Sequence, residues 1–252
     1  MQETGDFLNS DTKAHYKNHL APVYSWISGD FREKSNEQYL LLSQNSTSPQ
    51  STGIALDLGS GHGIHSMALA KCGFSVIAVD FNAELLTELK QNLIAWGVHT
   101  ICGDIRNITH YSKNLSPEVV LCGGDTITHL NSHQEAEQFI SDISGSLYKG
   151  GKLIISFRDY STVLSGDERF IPVKSDKDRI FTCILDFEQE HVRVTDMLYE
   201  REGDSWQQKI SSYYKLRLAP AVLQQYIESY GFTIDNFFEH NRMIYILASK
   251  TS

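Results

Sequence analysis

Three glycines and three acids have the types and spacing that suit a nucleotide site. Asp57 precedes Gly59, Gly61 and Gly63 in the run Ile-Ala-Leu-Asp-Leu-Gly-Ser-Gly-His-Gly-Ile, residues 54–64. Without a Cβ, glycine reaches positive φ and lets backbone N–H groups approach a ligand closely. A helix starting behind such a turn adds unpaired N–H groups and a positive dipole end. Asp80 follows Gly59 by 21 residues, close to the ~20-residue offset at which an acid meets a ribose. Its carboxylate can accept from both ribose hydroxyls, and it is expected at an exposed strand end. Phe81 follows and is placed to pack on a base. Asp104 supplies a third acid, in Ile101-Cys102-Gly103-Asp104-Ile105. His129 is the side chain best matched by its ordinary pKa to moving a proton near neutrality, and is equally a capping or core histidine. Arg158 can hold a carboxylate bidentately, or pair with Asp159 or Asp167.

The elements that must position these residues follow from patterning. The apolar run Ile54–Leu58 predicts a buried strand, and Ile64, Met67, Ala68 and Cys72 predict a helix behind the glycines. Phe74–Val79 predicts a second strand ending at Asp80. Asn82 predicts a helix N-cap, followed by a core stripe of Leu85, Leu86, Leu89, Leu93 and Trp96 that stops at Gly97. A fourth strand is expected at Glu118–Cys122, then Gly123 and the loop to Leu130. Ser132 and Glu135 form a capping box ahead of Ala136, Phe139, Ile140, Ile143 and Leu147. Lys152–Phe157 is the fifth strand. Residues 167–217 then alternate with a period of two, with turns at Glu188–Glu190 and Gly203-Asp204, which predicts an antiparallel meander. A helix over Pro220–Tyr230 and a strand pair, Phe232–Phe238 with Ile244–Ser249, complete the chain.

Ahead of the first strand, residues 12–29 read as helical with a break at Pro22. Tyr16, Leu20, Tyr24 and Ile27 fall near one face, and Tyr16, Tyr24 and Trp26 suit a lid over the ligand cleft. Residues 43–53 are a polar linker with little reason to order. The division is a helical arm at 1–42, linker 43–53, core 54–166, insertion 167–217 and core again at 218–252.

A dinucleotide fingerprint wants glycine where Ile64 stands. The acid followed by Gly-x-Gly-x-Gly instead resembles the first motif of class I S-adenosylmethionine-dependent methyltransferases. Asp80 and Asp104 at the next two strand ends strengthen the likeness. From about residue 54 onward the chain is most similar to the glycine N-methyltransferase-like group. The residues that carry this are Gly73-Phe74-Ser75-Val76 with Val79-Asp80, the loop Gly124-Asp125-Thr126-Ile127-Thr128-His129-Leu130, Arg158-Asp159-Tyr160, Lys174-Ser175-Asp176 and Tyr213-Tyr214. Asp125 and Asp159 stand where that group usually has asparagine, and Val173 where it has an aromatic residue.

The resemblance implies an α/β fold: a Rossmann-like, mostly parallel seven-stranded sheet with helices on both faces, an antiparallel C-terminal strand and an inserted antiparallel β meander. It implies S-adenosyl-L-methionine as cofactor, with Asp57 and Gly59, Ser60, Gly61, His62 and Gly63 at its methionine part. Asp80 and Phe81 would meet the ribose and base, Asp104 the adenine amino group. Gly103, Ile105, Cys122, Gly123, Tyr16 and Tyr24 complete the cofactor set, and His129 and Arg158 are the catalytic candidates. No metal is expected. The acceptor is expected to be a small molecule, methylated at nitrogen. Asp/Asn-Pro-Pro-aromatic, carried after the fourth strand by amino-methyltransferases acting on DNA bases, is absent. The alternatives are an NAD(P)-binding oxidoreductase or a non-catalytic nucleotide-binding protein.

Composition bounds the rest. The chain has 252 residues, 41% hydrophobic and 21% charged, as in globular proteins. A formal net charge of −9 argues against a broad nucleic-acid footprint. Cys72, Cys102, Cys122 and Cys183 form no Cys-x-x-Cys pair, so a cysteine-based zinc site is not expected. Three of them read as buried free thiols, which fits a cytoplasmic setting. A polar start with Glu3 and Asp6 does not read as a signal peptide, and no apolar run approaches the ~18 residues of a membrane span. A monomer or homodimer is expected.

Overall fold

The computed structural model describes residues 12–251. From residue 12 the arm is α-helical over 12–15, then π-helical over Tyr16–Leu20, and a 3-10 turn, Ala21–Val23, with Pro22 at its start, follows. Helices α1 (Tyr24–Ser28) and α2 (Phe31–Gln44) follow. The break falls where proline lacks the N–H that a continuous helix needs.

The core runs β1 (Ile54–Leu58), α3 (Ile64–Lys71), β2 (Ser75–Asp80), α4 (Ala83–Asn92), β3 (His99–Cys102), α5 (Ile108–Tyr111), β4 (Val119–Cys122), α6 (His133–Ser146) and β5 (Lys152–Phe157). The insertion is β6 (Phe170–Ser175), β7 (Arg179–Phe187), β8 (His191–Glu202) and β9 (Ser205–Leu216). Helix α7 (Pro220–Ser229) leads to β10 (Phe232–His240) and β11 (Met243–Lys250).

Seven strands form one sheet in the order β10-β11-β5-β4-β1-β2-β3. β1 to β5 are parallel, while β11 runs antiparallel to β5 and β10 to β11. This is the expected Rossmann-like α/β architecture, and the meander forms its own antiparallel four-stranded sheet, β6-β7-β8-β9. Strand order reverses at β1, which lies between β2 and β4, so a crevice opens at the carboxyl ends there.

Alternation along the strands builds two cores. Leu56, Leu58, Val120, Cys122, Leu153 and Ile155 face α6 and α7. Ala55, Val119, Leu121 and Ile154 face Leu41 and Leu42 of α2 and Ala68 and Leu69 of α3. The caps hold: Asn82 Oδ1 accepts from the N–H groups of Glu84 and Leu85, both at 3.0 Å, and Ser132 Oγ from that of Glu135 at 3.1 Å.

Three details differ from the patterning. Trp96 is 45% exposed, beyond the end of the buried leucine stripe, because the helix stops at Asn92. Among the cysteines only Cys122 is buried; Cys102 is exposed on the edge strand β3, and Cys72 and Cys183 are intermediate. The stretch 43–53 is tied down. The Glu118 carboxylate accepts from the backbone N–H groups of Gln50, Ser51 and Gly53, each at 2.6 Å, a partner 65 or more positions away that composition cannot show. Among the described residues no helix is long and apolar enough to cross a membrane, and no cluster of His, Cys, Asp and Glu could hold a metal ion.

Candidate active site

A cavity of about 200 Å³ occupies the carboxyl edge of the sheet at the β1–β4 crevice. The turn behind β1 forms its floor. Gly59 has φ +77°, and a Cβ there would collide with the Thr126 side chain. Gly63 has φ +104°, and its Cβ would sit 2.8 Å from Leu93. Two hydrogen bonds from the Gly59 and Ser60 N–H groups to the Val79 carbonyl, at 2.8 and 3.0 Å, bind the turn to the end of β2.

Asp80 lines the cavity but is not exposed. It is 7% accessible, and its two oxygens accept from the N–H groups of Gly61 and Asn82, each at 2.8 Å. Burial raises its pKa, and those backbone bonds oppose the shift. The expectation of an exposed strand end is therefore corrected: the carboxylate braces the glycine turn from beneath. Asp57 is fully buried and does not line the cavity. Its Oδ2 accepts from Ser66 Oγ at 2.6 Å, while Oδ1 has no partner. Burial pushes its pKa up to about 7, with the Ser66 hydrogen bond opposing.

Asp104 reaches the cavity from the β3 end, and Arg106 grips it. Arg106 Nε donates to Oδ1 at 3.0 Å and Nη2 to Oδ2 at 2.6 Å, while Nη1 reaches Glu135 at 3.2 Å. Burial alone would raise the Asp104 pKa; Arg106 outweighs it and holds the carboxyl below its ordinary value. Ser60, Gly61, His62, Phe81, Ile105 and Gly123 also line the cavity. Gly63, Gly103 and Cys122 lie behind the lining: Gly63 against Leu89 and Leu93, Gly103 against Tyr111, and Cys122 in the core.

Tyr16 and Tyr24 bring the arm over the cavity. The Tyr16 ring lies 5.3 Å from Phe81 and 5.5 Å from His129, both edge-on, and its hydroxyl is 3.1 Å from His129 Nε2. Tyr213 of β9 stacks on His129 at 5.6 Å. Burial, with Lys215 as a second cause, pushes the His129 pKa down to about 3. The imidazole is neutral and too weak a base to take a proton from an ammonium near neutrality. Its Nε2 faces the Tyr16 hydroxyl and is placed to orient it.

Arg158 does not line the cavity. It joins a buried cluster around Asp125, which accepts from the Arg158 N–H at 3.0 Å, Arg158 Nη1 at 3.4 Å, Tyr160 Oη at 2.8 Å, and Lys215 Nζ. Burial would raise the Asp125 pKa, but the charges of Lys215 and Arg158 bring it down to about 2. Sequence reading missed Lys215, Arg106, His65 and Thr126. For Lys215 a signal existed. The alternation of β9 puts Tyr213, Lys215 and Ser211 on one side, and a lysine on the inward face of a strand needs a buried anion.

Residues 55–151 match the protein family described as a methyltransferase domain. A stretch of 117 residues is 31% identical to the glycine/sarcosine N-methyltransferase of Aphanothece halophytica, covering 46% of this chain and 43% of that protein. A solved S-adenosylmethionine-dependent methyltransferase from Clostridium acetobutylicum superposes with TM-score 0.71 at 18% identity, over 97% of this chain and 99% of that one. Residues 55–151 are a methyltransferase domain, and the chain takes the fold of solved S-adenosylmethionine-dependent methyltransferases. The same fold recurs in the SAM-bound amino pentose methyltransferase of Micromonospora echinaspora, at TM-score 0.71 and 14% identity over 88% of this chain and 92% of that one. At these identities the structural likeness is one of fold. The chain spans less than half the length of the Aphanothece relative. The matched methyltransferase domain holds the glycine turn, Asp80, Asp104 and His129. The arm and the meander lie outside it.

Proposed function

We propose that the chain transfers a methyl group from S-adenosylmethionine to a nitrogen of a small molecule. The observation that carries this is the single cavity in which the glycine turn, Asp80 and Asp104 meet across adjacent strand ends. The residues fit the donor. The turn can take no Cβ at Gly59, Ser60 Oγ is buried without a partner, and the two carboxylates that line the cavity can accept from ribose hydroxyls and an adenine amine. The donor supplies an activated methyl on a sulfonium, so the protein's work is orientation and exclusion of water.

In this reading Asp80 accepts from the ribose, Asp104 takes the base edge beside Ile105, and Phe81 packs on the base. Asp57 acts through the turn it supports. Tyr16 and Tyr24 cover the reacting end, with His129 fixing the Tyr16 hydroxyl. In this reading the acceptor amine enters uncharged, so its lone pair is free to attack and no side-chain base is needed. Nitrogen as the target is supported by the glycine/sarcosine relative and by the amino pentose enzyme of like fold, both named for amine-bearing substrates.

The test is incubation with methyl-deuterated donor and a panel of small amines, alcohols and thiols, read by mass spectrometry. Label on an amine and on no alcohol or thiol is expected. Label only on oxygen or sulfur would overturn the nitrogen assignment. No label on any compound, with donor bound, would favour a non-catalytic binding protein.

A further inference from the structure

The cavity is charged at one end and neutral at the other. Lys13, Asp104, Arg106 and Glu135 line it on the β3 side. Three inter-strand steps away, at the β4 end, the lining turns to His65, Gly123 and Thr126. At ~4.8 Å per step that is about 14 Å, long enough to seat a base, a ribose and a polar tail in sequence.

His65 is built into that neutral end. It sits in the first turn of α3, half-buried, with its ring against Gly123. A Cβ on Gly123 would come within 2.6 Å of Cε1, 2.8 Å of Nε2 and 3.0 Å of Nδ1, so the imidazole takes the space that a side chain at 123 would fill. Neither ring nitrogen has a hydrogen-bond partner in the protein among the described residues, and neither is sealed from the cavity. Burial, with His62 a second cause, lowers the His65 pKa to about 4, so the ring is neutral and offers one donor and one acceptor. No arginine or lysine lines this end.

We propose that His65 binds the amino-acid tail of the methyl donor, donating its ring N–H to the α-carboxylate. This rests on the donor-site reading above, in which Asp80 and Asp104 fix the nucleoside and leave the tail to cross β1 towards β4. Recognition of the tail by a neutral imidazole, beside the first-turn N–H groups of α3, takes the place of a cationic clamp.

Two probes separate tail from nucleoside. S-Adenosylhomocysteine carries the amino-acid tail, and 5′-methylthioadenosine lacks it. Calorimetry on the full chain should show His65→Phe weakening S-adenosylhomocysteine by roughly tenfold or more, the scale of one hydrogen bond to a charged group, while 5′-methylthioadenosine changes less than about twofold. His65→Gln, which keeps a donor, should restore part of the loss. An equal loss for both ligands would make His65 a packing residue for Gly123 and overturn the proposal, as would unchanged S-adenosylhomocysteine affinity. Failure of the unaltered protein to bind either ligand would instead remove the donor-site reading, and this proposal with it.

Discussion

Asp57 and Asp80 stand at neighbouring strand ends, yet burial gives them different work. Asp57 has its pKa raised to about 7 by burial, against an ordinary value near ~3.9. A raised carboxylate contributes stability that is complete below about pH 4 and is lost as pH rises through about 7. Asp57→Asn should therefore show a smaller fall in Tm between pH 5 and pH 8 than the unaltered protein. Parallel Tm profiles for the two would refute that assignment. Asp80 braces Gly61 and Asn82, so Asp80→Ala should both abolish measurable donor-product binding and lower stability by about 1–3 kcal/mol. Loss of stability with unchanged affinity would make it a turn residue only. Lys215 pairs with Asp125 where both are buried. Removing one partner of a buried pair costs about 3–5 kcal/mol, so Lys215→Met should lower the denaturation midpoint accordingly, and adding Asp125→Asn should recover part of it. A loss in the double variant as large as the sum of the two single losses would show that the ions do not couple.

At the scale of elements, the arm that lines the cavity is fastened to the meander. His15 lies 3.0 Å from Asp196 of β8 and 2.8 Å from Ser211 Oγ of β9. Trp26 Nε1 donates to Asp176 Oδ2 at 2.6 Å, and Leu20 and Val23 pack on Phe181 and Leu198. We expect S-adenosylhomocysteine to slow proteolysis of arm and meander together, because Tyr16 and Tyr24 cover the cavity it would fill. A cleavage rate that ignored the ligand but fell with protein concentration would point to a subunit interface instead. This is also where sequence reading reached its limit. The three acids and the glycine turn were legible because each depends on its own strand end and the next few residues. The period-two run from 167 gave the meander and its turns for the same reason. Arg106 on Glu135, Glu118 under the linker and Lys215 on Asp125 were not legible as pairs, since each joins elements that only the tertiary fold brings together. Asp80 was placed correctly in the chain and wrongly in its exposure: alternation gives a strand's faces and is silent on how the following turn folds back over its end.

For the whole molecule, the doubly wound core supplies the crevice, and the arm, which lies outside the matched domain, lines it through Lys13, Tyr16 and Tyr24. The proposal places the donor on the core, and we expect choice of acceptor to depend on the segments outside the matched domain. The central claim is that the crevice holds S-adenosylmethionine, and thermal unfolding with its demethylated product tests it most directly. At S-adenosylhomocysteine about 100-fold above Kd, stability should rise by about 2.7 kcal/mol, with no change from NAD or NADP at the same concentration. Stabilisation by NAD or NADP, and none by S-adenosylhomocysteine, would contradict the account.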